Sequence, residues 1–134
     1  MNFNTTKEAA QYLLDLLAEL DNAFSVASKQ VGNNDPSGAE AALRAVGVDW
    51  ESSFRVAQAI PTHDGALLAY AVSCAALARD AALQVVSSFE YGNHGITETV
   101  GYMEGARKNI AAMQEIKRAR DVAQQITGGN NGTV

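Results

Sequence analysis

The chain is poor in the residues that interrupt helices or gather metals. Its two prolines are Pro36 and Pro61, and proline is kept out of helix interiors because it lacks the N–H and clashes with the preceding turn. Its single cysteine, Cys74, excludes an internal disulfide and leaves no mark of an oxidising compartment. Its two histidines, His63 and His94, are far apart. No Glu-x-x-His pair and no Cys/His cluster accompanies them, so neither the di-metal carboxylate pattern nor a zinc pattern is present. The glycine-rich stretches match no phosphate-binding loop or dinucleotide fingerprint. Phe, Trp and Tyr make up 7% of residues, so small side chains must close much of the core.

Long charge-free runs are also lacking. The longest, Gly65 to Ala78, is shorter than the ~20 apolar residues of a membrane-spanning helix. The opening MNFNTTKEAA has neither the basic nor the apolar region of a signal peptide. The expectation is a cytoplasmic protein that does not enter a membrane. Net charge is −5, which argues against nucleic acid as a partner, since binding to phosphates draws on Lys and Arg. The charge is uneven. Residues 1–106 hold 13 acids and 5 bases, whereas residues 107–134 hold 5 bases and 2 acids.

What is abundant is alanine, 24 residues of it, and alanine is the strongest helix former. The composition predicts an all-α fold. Thr5 to Glu8 fits a capping box, followed by Ala10, Leu13, Leu17, Leu20, Phe24, Ala27 and Val31 at alternating spacings of three and four. That is a heptad-like seam. It ends at Gly32-Asn33-Asn34-Asp35-Pro36, with Gly32 as the C-cap. Ser37 to Glu40 reads as a second capping box, and Ala39, Leu43, Val46, Trp50, Phe54 and Ala57 carry a stripe whose phase survives Gly47. One helix, kinked or broken near Gly47, accounts for it; two short helices with Asp49 capping the second is the alternative. Trp50 is expected as a core anchor, and Pro61 ends the segment.

The third segment, Thr62 to Glu90, is the central packing helix. Thr62 or Asp64 caps it. Ser73, Leu77, Asp80, Gln84 and Ser87 fall on one narrow, solvated side, and a wide arc that includes Leu67, Cys74 and Val86 covers the other. After the turn Tyr91-Gly92-Asn93-His94-Gly95, a fourth helix begins near Thr97. Tyr102, Ala106, Ile110 and Met113 form one side, and Ala112, Ile116, Ala119, Ala123 and Ile126 an adjoining one. Gly101 and Gly105 suggest a close crossing with another helix. The fold expected is a four-helix up-down-up-down bundle over residues 1–127, with a flexible tail over 128–134.

No catalytic, cofactor-binding or metal-binding residue stands out. Cys74 reads as a small buried hydrophobe, and both histidines as loop residues at opposite ends of the bundle. Two features could make contacts. Arg79 and Asp80 are the charges inside the apolar third helix; they serve either as a structural pair or as a binding contact. Arg107, Lys108, Lys117, Arg118 and Arg120 form a basic stretch, either a solvated face or a patch for an acidic partner. The expectation is therefore a non-enzymatic module that binds another protein through a helix face, as an adaptor, inhibitor, immunity factor or secretion chaperone. Met103, Met113 and the wide apolar arc leave surface to spare for a homodimer. The alternative is a nucleic-acid or phosphate-binding regulator that uses the five basic residues.

Overall fold

A computed structural model of the chain describes residues 6–47, 50–60 and 63–128, without the side chains of Trp50, Val122 and 124–128. The chain is all-helical. The helices are α1 (Thr6–Gly32), α2 (Pro36–Arg44), α3 (Trp50–Ala57), α4 (His63–Glu90) and α5 (Ile96–Gly128), so among the described residues five replace the four expected. The expected caps at Thr5, Asp49 and Thr62, the stop at Pro61, the Trp50 anchor and the tail beyond Gly128 lie outside this description.

The seam of α1 is the backbone of the core. Leu13, Leu17, Leu20, Phe24, Ala27 and Val31 are all fully buried, each large one contributing ~1.5–3 kcal/mol of transfer free energy. α1 packs against α2, α4 and α5 and touches α3. It ends with a left-handed residue, but this is Asn34 (φ 59) rather than Gly32; asparagine tolerates that conformation through its short polar side chain.

The second segment brings one correction and settles one alternative. Its N-cap is Asp35, not Ser37: the Asp35 carboxylate accepts from the Gly38 N–H at 3.0 Å. Pro36 occupies the first helical position, where its missing N–H costs nothing. The segment also divides into α2 and α3, because Val46-Gly47 combines a β-branched residue with a glycine, both poor in a helix interior. The apolar phase does not carry across. Ala39, Leu43, Val46 and Ala57 are buried as expected, but Ser53 is buried and Phe54 is 42% exposed.

α4 is long and apolar enough to cross a membrane by length and composition alone, yet it packs against α1, α2, α3 and α5. Its inner surface is mostly alanine, with Leu68, Val72 and Val86. Ser73 is buried, contrary to its expected solvated side, and Leu67 is exposed. A buried Gly65 lets the Ile60 backbone come against the first turn of α4. The turn after α4 uses Gly92 at φ 80, as its glycine content implied.

α4 and α5 run antiparallel. The Tyr102 hydroxyl donates to the Ala78 carbonyl at 3.2 Å, and far along the pair Arg120 donates to Asp64 at 2.6 Å. α5 is fixed to α1 by Arg107, whose Nε lies 3.2 Å from Asp21 Oδ1.

Candidate functional site

Of the adjacent charges Arg79 and Asp80 in α4, it is Arg79 that is used inside the fold. The Arg79 side chain is 11% exposed and reaches Asp80 at 2.8 Å, while Asp80 is 60% exposed. The Arg79 guanidinium also donates to the Val46 carbonyl just past the end of α2. A cation just beyond a helix C-terminus suits the negative end of the helix dipole.

The basic stretch does not form one surface. Arg107 is tied to Asp21 and, at 3.6 Å, to Glu104. Lys117 donates to Asp121 at 2.6 Å, the i,i+4 pair its spacing implied, with its stem largely covered. Arg120 holds Asp64. Lys108 and Arg118 are exposed and make no ion pair among the described residues. At ~100° per residue Arg107 and Arg118 share one side of α5, but Lys108, Lys117 and Arg120 each point elsewhere.

Spare apolar surface was expected on the third helix, but sequence reasoning did not locate it. On α4 Tyr70 is 59% and Leu77 54% exposed; on α5 Ile116 is 55% exposed. Ala112 and Ala119 share the outer side of α5. Leu77 had been grouped with the polar strip. Leu67, Tyr70, Cys74 and Leu77 follow each other at spacings of three, four and three, a second seam with no helix across it among the described residues. Met103, expected to add spare surface, is fully buried.

A groove of about 190 Å³ runs between the N-terminal half of α4 and the C-terminal half of α5. Leu67, Leu68, Ala71, Met113 and Ile116 line it, and Arg120 with Asp64 closes one end. Tyr70 stands on its rim. The Cys74 thiol one turn on raises the pKa of the Tyr70 hydroxyl above the ordinary 10.0.

Among the described residues Gly101 and Gly105 make no close crossing. A Cβ added to either would meet nothing within 4 Å. Both lie on the exposed side of α5.

The remaining polar groups are settled locally. His94 lies 2.7 Å from Glu98 at the start of α5. Among the described residues no three His, Cys, Asp or Glu side chains gather as a metal site, and no buried side-chain nitrogen or oxygen lacks a hydrogen-bond partner. No family model, curated protein or solved structure matches this chain.

Proposed function

We propose that the protein is a non-enzymatic interaction module that binds another protein chain through the outer face of α4 and α5. The observation that carries this reading is the exposed apolar seam of Tyr70, Leu77 and Ile116. Contiguous apolar surface of this kind is uncommon on an isolated monomer and marks binding surfaces. The groove beside it is mostly aliphatic, which suits a helix or a hydrophobic side chain better than a charged ligand.

The reading goes with a particular arrangement of helices, in which α2 and α3 together occupy one arm of an alternating four-arm bundle. Two contacts support it. Val46, after α2, lies at Arg79 midway along α4, and Ala59, after α3, lies at Thr6 where α1 begins. Both short helices then descend beside α4, and the described residues leave the outer side of α4 and α5 uncovered.

The test is capture with the tagged protein from its own cells, comparing wild type with Leu77→Asp and Ile116→Asp. A stoichiometric bound chain, whether a second copy or another protein, that is lost with both variants supports the reading. Association unchanged by both variants overturns it.

A further inference from the structure

Resting on that reading, we infer that the chain covering this face is a second copy of the same protein, packed antiparallel, α5 on α5 and α4 on α4, about a two-fold axis. Lys108 and Glu115 are seven residues apart on α5, both exposed, and neither makes an ion pair among the described residues. Seven residues is nearly two turns, with a drift of only ~20°. The two charges therefore stand on one edge of the helix, beside the strip of Gly101, Gly105, Ala112 and Ala119.

This edge is complementary to itself in one orientation only. Antiparallel packing about an axis between Ala111 and Ala112 sets Lys108 of each copy against Glu115 of the other, twice per dimer. Parallel packing sets lysine against lysine and glutamate against glutamate, which costs free energy. In the antiparallel register Gly105 falls opposite the turn holding Arg118 and Ala119. An alanine or glycine on each side lets the axes approach to the short end of the ~8–10 Å range.

The same axis suits α4. Ala78 is level with Tyr102 and Asp64 with Arg120. The level of Ala111 on α5 is therefore that of Tyr70 on α4. The exposed Tyr70 rings meet near the axis, with Leu77 and Leu67 to either side, and no charge lies between Gly65 and Ala78. The area is sufficient: two helices ~40 Å long and ~10 Å wide offer ~800 Å² per copy, about that of a standard stable interface.

The test is sedimentation of the purified full chain, with circular dichroism and urea midpoints to show that each variant folds. Wild type is expected at twice the 14.1 kDa chain mass. Lys108→Glu alone, or Glu115→Lys alone, is expected to weaken self-association by about tenfold or more, since like charges then face each other. The double variant, Lys108→Glu with Glu115→Lys, is expected to return to within about threefold of wild type, because exchanging the charges restores both pairs. Leu77→Asp and Ile116→Asp are expected to give folded monomers. A strictly monomeric wild type overturns the inference, and so does a double variant no stronger than the single ones. If the wild type is monomeric while face-dependent capture of another protein persists, the inference fails and the broader reading stands.

Discussion

The place where a Cβ on Gly65 would go lies 2.7 Å from the carbonyl oxygen of Ile60. The obstacle is backbone at the entry to α4, so it cannot turn aside. Gly65→Ala is expected to destabilise the fold by about 1–3 kcal/mol despite alanine's better helix propensity. Gly101→Ala and Gly105→Ala meet nothing and are expected to stabilise the dissociated subunit by ~0.8–1 kcal/mol each. Urea midpoints on dilute protein read both directions; a Gly105→Ala variant that loses stability there refutes the open position of that glycine.

Arg79 and Asp80 differ in what they hold. Arg79→Ala removes a nearly buried cation from the Val46 carbonyl and is expected to cost about 1.5–3 kcal/mol, the range for hydrogen bonds to charged groups. Asp80→Ala breaks a pair whose acid is mostly in water and is expected to cost under about 1 kcal/mol. Chemical denaturation of the two variants decides; equal losses would deny Arg79 its role at the end of α2.

Tyr102 gives a signature in alkali. Burial raises its pKa above the ordinary 10.0, so the folded state favours the neutral phenol. That contribution is complete below the unfolded-state value and is lost as pH rises through the raised folded value. Tyr102→Phe loses the bond to Ala78, at about 1 kcal/mol near neutrality. Stability measured from about pH 8 to about pH 11 should then fall less steeply than in wild type. Parallel curves would show that Tyr102 is equally solvated in both states.

Leucines in α1 and α4 should answer oppositely to truncation. Leu17 is fully buried, and Leu17→Ala is expected to cost ~2–5 kcal/mol through lost transfer energy and a cavity. Leu77→Ala on dilute protein is expected within about 0.5 kcal/mol of wild type. A large loss for Leu77→Ala would mean that α4 turns that side chain inward.

The helical class and the inner seam of α1 were legible because a period of three and four over Leu13 to Val31 has a single amphipathic solution. The break near Gly47 was legible as a weak point, but the chain's own pattern could not show whether it bends or divides. α4 was harder. Alanine satisfies a buried and an exposed position alike, so a helix rich in it gives little sign of which side is outside. That is why Ser73 turned inward and Leu67 outward, while Leu77 kept its expected outer side. The small strip on α5 suffered the same ambiguity: Gly101 and Gly105 signal close approach, but not to which helix. Arg79 was recognised as unusual, but its partner lies 33 residues away, beyond the reach of any local pattern.

That separation has a consequence for the order of events. α2 is nine residues long, shorter than the ~12–15 residues at which isolated helices become even marginal in water. It is made on the ribosome well before the arginine that completes its far end. Until α4 has been synthesised and docked, residues 36–46 have a cap only at Asp35. The second helix in the chain is thus among the last to consolidate. A nascent chain halted before Arg79 should leave that segment open to proteases that the finished protein resists.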